Sequence, residues 1–299
     1  MKIFSGSSNK PLAGKIAKLL KKELSQLEIH IFPDQEKRVR VLEKVLGEDA
    51  VIVQSTSTDA DKNYIELFFI ADALRRSGVK TIIVVIPYLG YQRQDHLFRE
   101  GEAVSIDVIV KILKVVGVDK VITFDLHSTR IPEIFNIRIV HLSALSIFAE
   151  KIKEDHLDGD DTVLVSPDKG GIRRIKILSE MLGNMPYAVI EKNRDLATGK
   201  VTMDGIDGEV EENAIIVDDM ISTGSTIVTA ANLLKNKGAK NIYVFATHAV
   251  FSKDAPKILQ NSSVSSVYVT DTIFVPEEKQ FPKLEILSIS EMIAKTLKI

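Results

Sequence analysis

Apolar positions along this chain fall into short, nearly continuous runs. Most are rich in Val and Ile, and they occupy 28–32, 50–54, 81–87, 120–125, 162–166, 187–191, 214–218 and 241–247. An antiparallel strand with one wet face would alternate apolar and polar residues, whereas a continuous run predicts a parallel strand covered on both faces. The intervening segments 12–24, 64–77, 105–116, 144–153, 171–182 and 226–237 repeat apolar residues at three- and four-residue spacing and predict helices. Gly78, Gly117, Gly183 and Gly238 stand just beyond four of them, where a left-handed residue ends a helix. Alternation of this kind predicts an α/β fold with mostly parallel sheets, its ligands at the carboxyl ends of the strands.

Two pairs of tracts resemble each other. VVIPYLGYQRQD and VLVSPDKGG each end a strand in Pro and continue into a polar, Gly-containing loop. VITFDLHST and AIIVDDMISTGST each end a strand in an acidic residue followed by hydroxyl residues. The pairing predicts two related α/β halves meeting near 140–143, a number of domains that suits a chain of 299 residues. The segment 195–213, polar and rich in Gly and charge, reads as a loop.

Composition narrows the chemistry. An apolar content of 45% fills a core and excludes disorder. A net charge of −2 leaves no global positive field for a nucleic-acid backbone or an anionic membrane, so any anion is bound locally. The absence of Cys excludes disulfides, thiolate metal sites and thiol nucleophiles, leaving His and carboxylates as metal ligands. No run approaches the ~20 apolar residues of a membrane span, and the start MKIFSGSSNKPLAG has no apolar signal region. A soluble, cytoplasmic protein is expected.

The most informative segment is IIVDDMISTGST, 215–226. An apolar strand runs into paired carboxylates and then into small hydroxyl residues and Gly that open a helix. Backbone N–H groups at a helix N-terminus favour an anion, and Ser222, Thr223, Ser225 and Thr226 add hydroxyl donors around Gly224. Asp218 and Asp219 would repel a phosphate but accept hydrogen bonds from sugar hydroxyls, so the combination suggests a phosphorylated sugar. The bland alternative, a helix N-cap with acidic neighbours, needs one such residue where this run supplies several.

This segment resembles the phosphoribosyl-diphosphate motif of type I phosphoribosyltransferases and of ribose-phosphate diphosphokinases, with Ser225 where a second Gly is usual. The resemblance to the diphosphokinases extends over nearly the whole chain: FPDQE, VQST, IPYLGYQRQD, GEAVS, DLHS, SPDKGG, EKNR and VDDMISTGST stand in order where that family has its signatures. It implies two phosphoribosyltransferase-like α/β domains, each a mostly parallel sheet flanked by helices, at 1–142 and 143–286, with a C-terminal helix in 287–299 packing on the first. It also implies Mg²⁺-dependent transfer of the β,γ-diphosphoryl group of ATP to the anomeric hydroxyl of ribose 5-phosphate, in a homo-oligomer whose ATP site lies at a subunit interface.

The same resemblance assigns residues that, taken singly, have bland readings. Phe32, Asp34 and Glu36, otherwise a turn with a packed Phe, would bind adenine, and Gln35 replaces the usual Gly. Arg93, Gln94 and Asp95, otherwise a solvated loop, would join the ATP ligands, with Arg99 just beyond. His127, otherwise structural like His30, His141, His156 and His248, would meet Mg-ATP together with Asp168. Lys169, Gly170 and Gly171 would hold a diphosphate through their amides, with Arg173 and Arg174 either adding charge or forming a solvated helix face. Lys192 and Arg194 would be the catalytic cations on a closing lid, while Asp218, Asp219, Ser222, Thr223, Gly224, Ser225 and Thr226 would take ribose 5-phosphate. A phosphoribosyltransferase would use the same 218–226 segment but leaves the first half unexplained, and a non-catalytic subunit would be expected to lack the cations and His127.

Overall fold

The computed structural model describes residues 1–194 and 201–298, with backbone alone at 192–194 and 201–204. The chain forms two compact units. The first comprises Met1–Leu142, Thr272–Phe274 and Ser288–Ile299, and the second Ser143–Asp271 and Val275–Leu287.

The first unit contains, in chain order, β1 (Lys2–Ser5), α1 (Lys10–Leu19), β2 (Leu27–Ile31), β3 (Lys37–Val41), β4 (Asp49–Val53), α2 (Ala60–Arg76), β5 (Thr81–Val85), α3 (Ser105–Val115), β6 (Lys120–Phe124), α4 (Ile131–Ile134) and β7 (Arg138–Leu142). Its sheet is entirely parallel, in the order β1-β4-β5-β6-β7. Helix α1 begins where the Asn9 side chain accepts the Leu12 N–H at 3.3 Å and Pro11 occupies the first turn. It buries Leu12, Ala13, Ile16 and Ala17, one face at helical spacing.

The run at 28–32 does not join this sheet. It pairs antiparallel with β3 as a separate two-stranded ribbon. The sequence of β3, KRVRV, shows why: Val39 and Val41 pack on the core, while Arg38 and Arg40 project outward toward Glu28 at 3.1 and 3.8 Å. One wet face suits a hairpin and not a covered central strand. At the expected junction, 140–143, the edge strand β7 pairs with β6 as far as Phe124 and Leu142, and the second unit begins at Ser143.

The second unit contains α5 (Leu145–Glu154), β8 (Thr162–Ser166), α6 (Ile172–Met181), β9 (Tyr187–Arg194), β10 (Val201–Asp207), β11 (Asn213–Ile221), α7 (Ser225–Asn236), β12 (Asn241–Ala249), α8 (Ala255–Gln260), β13 (Ser266–Thr270) and β14 (Leu284–Leu287). The sheet order is β10-β9-β8-β11-β12-β13-β14, parallel except for β10. A final helix, α9 (Ser290–Leu297), belongs to the first unit and packs on α1.

The continuous apolar runs are explained by two cores, one on each face of this sheet. Val163, Val165 and Ile216 face α7 and α8, whereas Leu164, Ile215 and Val217 face α5 and α6. On the α5 side Phe245 stacks on Tyr268 at 4.3 Å and meets Phe148 edge-on at 5.4 Å. Such ring pairs contribute about 0.5–1.5 kcal/mol each beyond the area they bury.

The expected loop 195–213 holds a strand at 201–207, β10, which pairs antiparallel with β9 and carries a bulge between Met203 and Gly205, while residues 195–200 of that expectation lie outside the described residues. Polar composition concealed a strand that gains its partner from β9.

Candidate active site

In the second unit the chain leaves β8 toward β9 on one side and returns to pair β11 on the other. A reversal of this kind opens a crevice beyond the carboxyl ends of the two strands, where α/β sheets bind ligands. The loops at those ends carry Asp168–Gly171 and Ser222–Gly224.

Strand β11 continues through Asp218 and Asp219 to Ile221, because β12 extends with it as far as Ala249. The carboxylates are therefore held on a rigid element. Asp218 Oδ1 accepts the Asp219 N–H at 2.8 Å, and Asp219 Oδ1 accepts the Met220 N–H at 3.0 Å. Arg174, from the first turn of α6, places Nη1 3.6 Å from Asp218 Oδ1 and Nη2 3.9 Å from Asp219 Oδ1. Burial and the adjacent Asp219 carboxylate push the Asp218 carboxyl well above the ordinary carboxylate range, and Arg174 pulls partly against them. Of the two helix arginines, Arg174 is thus the acidic pair's counter-ion, while Arg173 is exposed.

Beyond Ile221 the loop turns at Gly224, whose φ of +78° is left-handed, and α7 starts at Ser225. With Gly as the N-cap, no capping side chain covers the first-turn amides, and an anion is the natural acceptor for them. The neighbouring 250–254 segment braces the loop: Phe251 N donates to Ile221 O at 3.0 Å and Ser252 N to Ser222 O at 2.9 Å. Thr223 Oγ1 and Ser225 Oγ lie 2.9 Å apart, so Ser225 contributes a hydroxyl beside the turn. Thr226 follows in the first turn of the helix.

At the end of β8, Asp168 precedes a short 3-10 turn, and its Oδ1 accepts from Gly170 N at 3.0 Å and Gly171 N at 3.3 Å. Two of the amides that the resemblance reserves for a diphosphate are thus capped by the Asp168 carboxylate in this structure. A Cβ on Gly171 would lie 2.4 Å from Ser166 Oγ, which itself donates to Asp168 O at 2.7 Å, so only Gly lets the turn close so tightly. Lys169 Nζ lies 2.9 Å from Glu191 Oε1 on β9, and that carboxylate raises the lysine above its ordinary range. Lys192 and Arg194 stand next on β9, in register with Met203 and Val201 of β10. Their side chains lie outside the described residues.

The first unit presents three loops. In the β2–β3 turn, Phe32 N donates to Glu36 O at 2.8 Å, Gln35 N to Phe32 O at 2.9 Å and Glu36 N to Asp34 Oδ1 at 3.2 Å. Gln35 takes a φ of +74°, so the turn is kept left-handed although the residue is not Gly. Phe32 is substantially exposed, with Arg38 over its ring at 5.8 Å.

The second loop departs from β5 through Gly90, where a Cβ would lie 2.3 Å from Thr56 O and 3.2 Å from the Tyr64 ring. Arg93 and Gln94 beyond it are exposed, as is Arg99. Asp95 is turned inward instead: its side chain is 5% exposed and its Oδ1 lies 2.6 Å from His96 Nδ1. Burial would raise this carboxyl, but hydrogen bonds from His96 and Ser128 outweigh it and hold Asp95 below the usual range.

The third loop follows β6. His127 is exposed. Its backbone N–H donates at 2.9 Å to the side-chain Oε1 of Gln92, and the Leu126 N–H donates to His141 Nε2 at 3.0 Å. Sequence reasoning passed over Gln92 and grouped His141 with the structural histidines. Nothing in the local pattern marks either, because their partners lie 35 and 15 residues away.

Among the described residues no three His, Asp or Glu side chains gather into a metal cage. A magnesium ion that arrives with substrate phosphates needs only one or two protein carboxylates and keeps its waters. The Asp168 carboxylate, just beyond β8 in the second unit, fits that requirement, and His127 is exposed on its own loop in the first unit.

Known proteins match this arrangement from end to end. Residues 1–117 match the model of the N-terminal domain of ribose phosphate pyrophosphokinase, and residues 138–299 that of the phosphoribosyl synthetase-associated domain. The ribose-phosphate pyrophosphokinase of Fusobacterium nucleatum is 40% identical over 99% of this chain and 94% of its own length. That of Thermotoga maritima is 39% identical with the same coverage. The crystal structure of phosphoribosylpyrophosphate synthetase from Mycobacterium smegmatis superposes with a TM-score of 0.93 at 34% identity, covering 99% of this chain and 97% of the other. With both domains matched and identity sustained over nearly the full length of its relatives, this chain is an enzyme of the ribose-phosphate pyrophosphokinase family.

Proposed function

We propose that the protein transfers the β,γ-diphosphoryl group of ATP to the anomeric hydroxyl of ribose 5-phosphate, giving 5-phosphoribosyl 1-diphosphate and AMP. The observation that carries the reading is the run from Asp218 and Asp219, fixed on β11, through left-handed Gly224 to the open N-terminus of α7. It supplies hydroxyl acceptors at one end and phosphate donors at the other, on one rigid path.

The 5-phosphate is received by the amides and hydroxyls of Ser222–Thr226, and Asp218 and Asp219 accept from the ribose hydroxyls. The ring is thereby oriented so that the anomeric oxygen faces the β-phosphorus. Phe32, Asp34 and Glu36 bind adenine in a homo-oligomer, and Arg93 and Gln94 bind the triphosphate. The inward Asp95 serves by holding its loop. Lys192 and Arg194 neutralise charge that builds on the transferred group. The anomeric oxygen forms its bond to the β-phosphorus as the bond from that phosphorus to the α,β-bridging oxygen breaks; the bridging oxygen leaves with AMP, and the hydroxyl proton passes to solvent. His127 and Asp168 would hold Mg²⁺ brought in with the nucleotide, and the ion would supply charge screening for the phosphates. Lys169, Gly170 and Gly171 receive the diphosphate once Asp168 releases the two glycine amides. No helix of the described residues is long and apolar enough to cross a membrane.

Phosphorus NMR of the purified protein with Mg²⁺, ATP and ribose 5-phosphate tests the reading. Stoichiometric AMP and a sugar 1-diphosphate signal, lost in Lys192→Ala, are expected. Intact ATP despite measurable nucleotide binding would overturn it in favour of a non-catalytic subunit.

A further inference from the structure

We propose that Gln92 is a positioning residue for the nucleotide site: by holding the His127 N–H with its side-chain carbonyl, it sets His127 relative to Arg93 and Gln94. The proposal rests on the reading of those three residues as nucleotide ligands.

Gln92 is 1% exposed, yet it sits between Tyr91 and two exposed polar residues. Tyr91 has a φ of +64°, a left-handed conformation that turns the following residue inward. The inward carbonyl reaches across the strand ends to the His127 N–H at 2.9 Å. A backbone N–H can only donate, so this contact fixes which end of the Gln92 amide faces His127.

The 125–127 backbone is held at successive amides. Asp125, with φ +28°, donates to Leu142 O at 3.0 Å; Leu126 donates to His141 Nε2; His127 donates to Gln92. Residues in sparsely populated conformations persist only where their surroundings over-determine them, and such places cluster at functional sites. Of these three acceptors only Gln92 comes from the loop that also carries Arg93 and Gln94. Asp95 adds a second tie between the same two loops through Ser128. The ligands on the two loops are thus spaced by side chains and not by the sheet alone.

The other half of the Gln92 amide shows that holding His127 in this way costs stability. Nε2 is buried and has no hydrogen-bond partner among the described residues. An unpaired buried donor destabilises the fold, a penalty that an apolar side chain of similar volume would avoid. A residue kept for packing alone would not carry that penalty.

The test compares Gln92→Met, which removes both the acceptor and the orphan donor, with Gln92→Glu, which keeps an acceptor oxygen at the same reach. Steady-state kinetics would be measured with ATP and with ribose 5-phosphate varied in turn, alongside urea denaturation and the ¹⁵N–¹H signal of the His127 amide. Gln92→Met is expected to remain as stable as the wild type or become more so. Its KM for ATP should rise about 5- to 10-fold, the worth of one hydrogen bond, with KM for ribose 5-phosphate unchanged and the His127 amide signal shifted. Gln92→Glu should recover most of the ATP affinity. An unchanged KM for ATP in Gln92→Met, or a fall in stability with all kinetic parameters worsening together, would overturn the proposal. Arg93→Ala and His127→Ala separate the two levels. If they weaken ATP while Gln92→Met does not, positioning fails and the nucleotide reading stands; if neither affects ATP, both fall.

Discussion

Lys37 on β3 and Glu66 on α2 form an ion pair at 2.5 Å in which the carboxylate side chain is 1% exposed. Glu66 also accepts the Ser7 N–H at 2.6 Å and the Gln54 side-chain N–H at 3.1 Å, so one buried carboxylate ties the β2–β3 ribbon to the loop after β1 and the end of β4. The ribbon is absent from the parallel sheet, and this pair fastens it to α2.

Removing one partner strands the other. Lys37→Ala is expected to destabilise the protein by about 3–5 kcal/mol in urea denaturation, because an uncompensated buried carboxylate remains. The double variant Lys37→Met with Glu66→Gln, which removes both charges but keeps an acceptor oxygen for Ser7 and Gln54, is expected to recover part of that loss, and a double-mutant cycle measures the coupling.

The same carboxylate shapes the acid limb of the stability curve. Burial alone would raise Glu66, but Lys37 and the Ser7 N–H reverse this and hold it below the usual range. A depressed carboxyl contributes stability at pH above its unfolded value and loses it as pH falls through the folded value. Glu66→Gln is therefore expected to flatten acid unfolding below about pH 5, followed by thermal melts across pH.

Asp218 carries the opposite sign. Its raised carboxyl favours the protonated fold, a contribution present at low pH and lost as pH rises through the folded value. Asp218→Asn is expected to raise the Tm at neutral pH, with the gain fading toward acid pH. The same change should weaken ribose 5-phosphate by about 10- to 150-fold, the worth of a charge-assisted hydrogen bond. A variant that lost both stability and affinity would show that the carboxylate is retained for the fold.

Gln35, at φ +74°, sits where Gly is relaxed. Left-handed backbone costs a non-glycine residue about 1–2 kcal/mol, partly offset by the greater unfolded entropy of Gly. Gln35→Gly is expected to gain up to about 1 kcal/mol in urea denaturation. Unchanged stability would show that the Gln35 side chain compensates.

Gly90 permits no side chain, since a Cβ would press on the Thr56 carbonyl at 2.3 Å. Gly90→Ala is expected to cost about 1–3 kcal/mol and to raise KM for ATP by displacing Arg93 and Gln94, while KM for ribose 5-phosphate holds. Equal effects on both substrates would place the damage elsewhere.

Much of the architecture is local information. Val163–Val165 and Ile215–Val217 are apolar without alternation because neighbours along the strand face different cores, and that periodicity is visible in one dimension. Ser225 opens α7 and Gly224 turns into it because backbone conformation and capping are decided within a few residues. The ordered motifs, each written in a handful of residues, were enough to identify the family.

What needed the tertiary structure is whatever depends on a distant partner. The polar stretch at 201–207 is a strand because β9 lies beside it, and 27–31 leaves the sheet because β3 has one wet face. Arg174 is the counter-ion of Asp218 and Asp219, Asp95 turns inward, and Gln92 grips His127, none of which residue type or spacing announces. Hydrogen bonds and ion pairs act over about 3–4 Å in space irrespective of separation along the chain, so only the folded arrangement decides which of many polar residues meet.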